Sequence, residues 1–184
     1  MEFDNPDQLS LTGKLLLADP SLRDPNFKKA VLLLCHHTSE EGAQGYILNR
    51  PLGKTVSELT DMEDFSELGT VPVFLGGPVG TDQLTFASMA WQPDRDELDF
   101  EKHLSAREAC ARIKEGFVVK AFVGHSGWSA GQLEGEIMER SWISHVPDER
   151  VLTAQEVEMW NGTLSSMSPW HYLLSKTPDD PSLN

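Results

Sequence analysis

The chain has 184 residues, of which 15 are lysine or arginine and 29 are aspartate or glutamate, so its formal net charge is −14. This length suits one domain with a sizeable core, and the acidity disfavours direct nucleic-acid binding, which needs cations that neutralise phosphates. No apolar run approaches the roughly 20 residues of a membrane-spanning helix, and the acidic first residues differ from a signal peptide, so we expect a cytoplasmic protein.

Seven short stretches rich in Val, Leu, Ile and Phe predict β-strands. They cover residues 14–18, 30–36, 45–48, 71–75, 84–88, 117–123 and 142–146. The TSEEGAQG segment between the second and third stretches predicts a hairpin loop. Residues 1–9 and the tail from Thr177 have the composition of loose ends, which leaves an ordered body of about residues 10–175.

The CHH sequence at residues 35–37 ends the second predicted strand. Because side chains alternate along a strand, we expect Cys35 and His37 to lie on the same face. A thiolate and an imidazole could ligate zinc, but zinc needs three or four ligands and no other Cys or His has the usual spacing. We therefore predict no metal site and no cofactor, with Cys35 a buried apolar residue.

The Asn49-Arg50-Pro51 sequence follows the third predicted strand, where the proline turns the chain out of the sheet. An arginine fixed in a turn could bind a carboxylate or a phosphate through its forked guanidinium. The alternative is a bond between Arg50 and an acid of the same chain. Further along, the GGPV sequence at residues 76–79 would let a ligand or another segment approach the backbone closely.

Four capping boxes predict helix starts, because a Ser or Thr followed three residues later by Glu or Gln satisfies two free backbone donors. They begin at Thr55, Ser105, Ser129 and Thr153. Gly116 suits the left-handed cap that ends the second of these helices. Strands and hairpins come first and helices are concentrated towards the C-terminus, which predicts an α+β fold with a largely antiparallel sheet covered by helices.

The GHSGWSAGQ sequence at residues 124–132 resembles half of the G-x-S-x-G elbow of serine hydrolases. Its closing position is Trp128, whose indole cannot provide the space that a glycine provides. The order Ser126, Asp148, His171 matches a hydrolase triad, but such an order arises readily in a chain with six histidines and 29 acids. We predict instead a strand-to-helix turn, in which Ser126 bonds to backbone and Ser129 caps a helix whose start could hold an anion.

Four motifs in order resemble the AlgH/YqgE family of bacterial proteins: LTGKLLLADPSLRDPNFKKAVLLLCHH, GAQGYILNRP, FLGGPV and GHSGWSAGQLEGEI. The resemblance covers about residues 13–151. It implies a compact α+β domain whose bent, largely antiparallel sheet is partly closed into a small barrel and surrounded by helices. It implies no established enzymatic activity and, for one lineage, a suggested role in transcriptional regulation. Family members typically have Tyr-Ala at the position of His125-Ser126, so chemistry shared by the family cannot depend on Ser126.

These observations predict a non-enzymatic regulatory protein that recognises a small molecule or a protein partner through a cleft between turns. Trp128 would line that cleft with a partly exposed indole. The predicted ligand-binding residues are Asn49, Arg50, Gly76, Gly77, Gly124, His125, Ser126, Gly127, Trp128, Gly131 and Gln132. The alternative is a hydrolase or transferase that uses Ser126, or Cys35 with His37. The oligomeric state stays open.

Overall fold

The computed structural model describes residues 10–176, and the loose ends predicted for residues 1–9 and from Thr177 onward lie outside this range. Within it, two 3-10 helices cover Val56–Glu58 and Glu63–Thr70. The strands and α-helices, in chain order, are β1 (Leu15–Ala18), β2 (Val31–Thr38), β3 (Gly42–Ile47), β4 (Pro51–Thr55), β5 (Pro72–Leu75), β6 (Val79–Gln92), β7 (Glu97–Leu104), α1 (Ala106–Lys114), β8 (Val118–Trp128), α2 (Gln132–Met138), β9 (Trp142–His145), α3 (Arg150–Thr153), α4 (Glu156–Met167) and α5 (Pro169–Ser175).

Strand β8 holds the sheet together, because its two halves have different neighbours. Its first half lies between β5, which is parallel to it, and β6, which is antiparallel, whereas its end pairs with β3. The sheet continues from β3 through β2 and β1 to β9, while β7 lies beyond β6 and β4 beyond β5. Every other strand pair is antiparallel, and the sheet bends into a half-barrel. The predicted α+β class is confirmed.

The concave face of the half-barrel forms one core with helices α3 and α4. Alternating strand residues such as Leu15, Leu33 and Phe122 point to this face and meet Met159 and Trp160 of α4. The Trp160 indole N–H also donates to the Ala18 carbonyl at 2.8 Å, so α4 is held by a buried hydrogen bond as well as by apolar contact.

The convex face is covered in two places. Helix α2 covers the part that displays Leu16, Leu32 and Leu34, together with Trp128 and Trp142. Helix α1 and the 3-10 segments cover a second part, formed by apolar residues of β5, β6 and β8. None of the helices within residues 10–176 is both long and apolar enough to cross a membrane.

Several predicted boundaries are wrong, and the reasons are tertiary. The TSEEGAQG loop is shorter than predicted, because β3 already begins at Gly42. This glycine has φ +90°, and a Cβ there would lie 2.1 Å from the Trp128 carbonyl oxygen, so close approach of β8 accounts for it. Strands β4 and β7 were not predicted; their residues are mostly exposed or half-buried, which weakens the apolar pattern.

Two of the four predicted capping boxes form as expected. Thr55 and Ser105 each exchange hydrogen bonds with the Glu three residues later, and Gly116 follows α1 at φ +88°. The Ser129 prediction is wrong, because α2 begins at Gln132 after a left-handed Gly131, although Ser129 still donates to the Gln132 side chain. The prediction for Thr153 is also wrong, because this residue ends α3 and α4 begins three residues later.

Candidate functional site

The predicted turn at residues 124–128 is a continuation of strand β8. Ser126 and Trp128 pair with Gly45 and Ala43 of β3, so the strand-to-helix turn predicted to start at Gly124 is wrong. The chain turns instead at residues 129–131. Gly124 has φ +68° and lies between the last residue paired with β5 and the first paired with β3. Its left-handed backbone therefore sits where β8 changes partners.

The glycines of the GGPV sequence pack directly against β8. The Gly76 carbonyl accepts hydrogen bonds from the Ile47 amide at 2.9 Å and from the Ser126 hydroxyl at 3.1 Å. A Cβ on Gly76 would lie 2.3 Å from the Gly124 oxygen, and one on Gly77 would lie 2.3 Å from the His125 carbonyl. We call residues 76–77 and 124–126 the glycine crossing. A ligand could enter it only if the two backbones separated, and its binding role stays a prediction.

The three residues of the possible hydrolase triad have separate partners. Ser126 is fully buried and its hydroxyl donates to the Gly76 carbonyl. Asp148 accepts from the Arg150 guanidinium at 3.0 Å. The His171 ring lies 2.8 Å from the Ser168 hydroxyl at the start of α5. Ser126 therefore does bond to backbone, but to that of a segment 50 residues earlier, so the predicted bond within its own turn is wrong.

Asn49 and Arg50 hold the loop that leads into β2. The Asn49 side chain accepts from the Val31 amide and donates to the Lys29 carbonyl, both at 2.9 Å. The Arg50 guanidinium donates to the Lys28 carbonyl rather than to an acid. The structure thus brings both residues to the chain's own backbone, and their predicted contact with a ligand stays untested.

The Trp128 indole is buried rather than lining an open cleft. Its N–H and that of Trp142 both donate to Glu136 Oε2 at 2.8 Å, while the Gln132 amide donates to Glu136 Oε1 at 3.0 Å. Glu136 therefore fastens α2 to the sheet, a role that no sequence pattern indicated. Gly127 and Gly131 are exposed.

A cavity of about 520 Å³ lies where the half-barrel is open, between β2 and β7. Its lining comprises residues 33–35 of β2, residues 97–102 of β7, Arg95, Thr12 and Gly13, and we call it the seam cleft. In the part of the chain that the structure describes, β7 pairs with β6 and not with β2. Because β2 is paired on both sides, with β1 and β3, the cleft lies between the face of β2 and the edge strand β7, and a ligand there would reach the rim of the core.

A β-bulge separates Cys35 from His37. The register of β2 shifts between Leu34 and His36, so Cys35 packs against the concave core whereas His37 turns towards α2. The buried His37 ring accepts from the Leu11 amide at 3.1 Å and lies 3.0 Å from the Glu134 carboxylate. The expectation that both side chains share a face is wrong. Within residues 10–176, no three His, Cys, Asp or Glu side chains group as metal ligands would.

Cys35 and Lys102 meet at Gln44 inside the seam cleft. The Cys35 thiol donates to the Gln44 backbone oxygen at 3.2 Å, and the Lys102 ammonium donates to the Gln44 side-chain oxygen at 2.5 Å. Burial raises the pKa of Cys35, and the charge of Lys102 offsets part of that rise. Burial lowers the pKa of His125, and His103 and Lys102 lower it further. None of the predicted ligand residues is among those that line this cleft, and their predicted role stays untested.

Lys102 and Asp99 are the charged groups of the seam cleft whose described hydrogen-bond partners are uncharged amides, of Gln44 and Gln92 respectively. Arg95 pairs with Glu97 at 2.9 Å, and Glu101 accepts from Arg112 at 3.1 Å. The hydrogen-bond acceptor of Lys102, among the described contacts, is the uncharged Gln44 amide. The cleft therefore presents a half-buried cation without a carboxylate partner beside apolar walls.

We expect both thiols of the native protein to react slowly with iodoacetamide near neutral pH. Burial raises the pKa of Cys35 and of Cys110 above the ordinary 9.0, and the thiolate is the reactive form. Alkylation followed by mass spectrometry should be at least about tenfold slower for the folded than for the urea-unfolded chain. Rapid labelling of native Cys35 at pH 7 would contradict this and would favour the nucleophile alternative.

Both the sequence and the fold of this chain are similar to those of known proteins over nearly the whole described range. The model of the AlgH-like family matches residues 15–171. A UPF0301 protein of Chlorobaculum tepidum is 33% identical to this chain, and the alignment covers 98% of this chain and 99% of the relative. A UPF0301 protein of Streptomyces avermitilis is 34% identical, and the alignment covers 95% of this chain and 96% of the relative. The crystal structure of a Corynebacterium diphtheriae protein shares the fold with a TM-score of 0.70 at 21% identity, covering 96% of this chain and 95% of that one. The solution structure of AlgH from Pseudomonas aeruginosa shares the fold with a TM-score of 0.65 at 24% identity, and the alignment covers 97% of this chain and 99% of that one.

Proposed function

We propose that this chain, which belongs to the AlgH-like family, is a cytoplasmic regulatory protein that binds a small monocarboxylate in the seam cleft. The observation that carries the proposal is the position of Lys102. Its ammonium lines the cleft, is half-buried, and bonds to a neutral amide. A ligand carboxylate beside it would supply a charge partner that residues 10–176 do not.

The energetic argument rests on charge and burial. A hydrogen bond between charged groups is worth about 1.5–3 kcal/mol, roughly twice a neutral one. The gain is larger where water is partly excluded, because the local dielectric constant falls. Lys102 already lies in such a place, so binding would add a charge partner without burying a second cation.

The walls of the seam cleft indicate the rest of the ligand. Leu33, Leu98 and Phe100 supply apolar surface, and the Tyr46 ring lies 6.2 Å from the Phe100 ring behind them. A cavity of about 520 Å³ falls within the size range of small-molecule sites, roughly 300–1,000 Å³. The ligand would therefore combine an apolar body with one anionic group.

The acids of the rim favour a monoanion over a phosphate. Glu97, Asp99 and Glu101 line the same cavity. Two of them are paired with arginines, but their charges still repel a dianion more strongly than a carboxylate. Any transcriptional role would operate through a protein partner, because a net charge of −14 opposes direct contact with DNA phosphates.

Calorimetric titration with 3-phenylpropionate and its uncharged amide tests the proposal. We expect the wild-type protein to bind the acid at least about tenfold more tightly than the amide, since tenfold corresponds to about 1.4 kcal/mol. Lys102→Met should remove this preference, whereas Lys54→Met, which deletes an exposed charge on β4, should retain it. The proposal fails if neither compound binds at millimolar concentration or if Lys102→Met still prefers the acid.

A further inference from the structure

A second cavity, of about 210 Å³, lies under helix α4, and its lining residue Leu15 is the strand partner of Leu33 in the lining of the seam cleft. It is lined by Leu15 of β1, His145 of β9, Val151 of α3, and Met159 and Gly162 of α4, among others, and we call it the α4 cavity. We propose that the α4 cavity binds a small uncharged aromatic molecule of one or two rings. This site is independent of the carboxylate site, because the residues that line the two cavities are different.

The floor of the α4 cavity is apolar. Leu15, Val151 and Met159 are all buried and belong to the concave core. Apolar cavities of about 150 Å³ stay dry and take up benzene, because water gains no hydrogen bonds in them. The α4 cavity is somewhat larger, is open at one side and has a polar rim, but its apolar floor offers contact area for a ligand of one ring or two fused rings.

Gly162 is the residue of α4 that lines the cavity without a side chain. It lies in the interior of α4, where glycine costs about 1 kcal/mol of helix stability relative to alanine. Its φ is not in the left-handed region, and a Cβ added to it would meet no atom within 4 Å. Gly162 is exposed and lines the cavity, so a larger side chain at this position would extend into open space at the cavity's edge without a clash.

The polar rim favours an uncharged occupant. Asp148 and Arg150 line the cavity but pair with each other, with N–O distances of 3.0 Å, so their charges largely cancel. Glu158 at the rim is exposed to water, which weakens the effect of its charge on a ligand. The repulsion that remains disfavours an anionic ligand.

His145 supplies the polar contact. Burial lowers its pKa, and Arg150 and His171 lower it further against the opposite effect of Asp148, so the ring is neutral at pH 7. A neutral imidazole can accept a hydrogen bond from the N–H or O–H of an aromatic ligand. His145 thus joins Gln155 and Thr163 as an uncharged group of the lining that could orient a ligand by a hydrogen bond.

Indole is a suitable probe, followed by calorimetry and by the Met159 methyl resonance in NMR. We expect indole to bind the wild-type protein and to shift the Met159 signal. Gly162→Leu should fill the cavity and weaken binding at least about tenfold, or 1.4 kcal/mol. Gly162→Ala, which makes the same gain in helix propensity but adds one methyl group, should keep binding.

Three results of this experiment would contradict an aromatic site in the α4 cavity. No indole binding to the wild type, binding without a shift at Met159, or unchanged affinity in Gly162→Leu would each overturn the proposal. Circular dichroism reports whether Gly162→Leu folds, and if it does not, the wild-type Met159 shift decides. The result does not depend on Lys102, so failure of the seam cleft to bind carboxylates leaves this test intact.

Discussion

Gly124→Ala is expected to lower the free energy of unfolding by about 4 kcal/mol or more, whereas Gly127→Ala, three residues later in β8, should change it by less than about 1 kcal/mol. A Cβ at Gly124 would lie 2.4 Å from the Gly77 oxygen and 2.9 Å from the Val79 oxygen, at φ +68°. Strain of the left-handed backbone and a clash with main-chain atoms act together there, and neither can be relieved by moving a side chain.

Gly127 provides the matched control. Its φ lies outside the left-handed region, its nearest atom to a new Cβ is the Ala43 oxygen at 4.0 Å, and it is exposed. Urea unfolding followed by tryptophan fluorescence measures both variants on the same scale. Equal stabilities for Gly124→Ala and Gly127→Ala would show that the glycine crossing does not have the backbone geometry described above.

Glu136→Ala is expected to lower the free energy of unfolding by about 2–5 kcal/mol. The substitution leaves the N–H groups of the buried Trp128 and Trp142 without an acceptor, and each unsatisfied buried donor costs about 1–3 kcal/mol. Glu136→Gln should cost much less, because an amide oxygen at the Oε2 position can still accept both bonds.

Glu139→Ala at the end of α2 is the matched control for the loss of a glutamate. Glu139 is exposed, so we expect a change within about 0.5 kcal/mol. If Glu136→Ala were no more destabilising than Glu139→Ala, the carboxylate would not be fastening α2 to the sheet.

The sequence was informative wherever a feature was local. Apolar runs predicted the buried strands β1, β2 and β5 closely, and the boxes at Thr55 and Ser105 formed because each needs only neighbouring residues. The largely antiparallel sheet was predicted from the order of the elements, and its bend from the family resemblance. These features depend on short-range geometry or on four motifs in a fixed order.

Long-range contacts account for most of the wrong predictions. The glycine at 124 suggested the start of a turn, but two backbones cross there, a contact between segments about 50 residues apart. The predicted binding role of the glycines at 76, 77 and 124 stays untested. The bulge at Cys35 depends on the register between β2 and β3, which a strand pattern alone does not fix.

The seam cleft was missed for a different reason. One of its walls is β7, whose sequence ELDFEKHL contains several charges and was not predicted as a strand. The alternation of Leu98, Phe100 and Lys102 with acids does have a period of two, and that pattern could have indicated a half-buried edge strand. That Lys102 bonds to the neutral Gln44 amide rather than to an acid among residues 10–176 could not be predicted without the fold.

Methyl and amide NMR during a titration with 3-phenylpropionate is the most direct test of where this protein binds its ligand. We expect the largest shifts at Leu33, Leu98 and Lys102, with little change at the glycine crossing. Shifts centred on residues 76–77 and 124–126, or no shifts at millimolar ligand, would contradict a carboxylate site in the seam cleft.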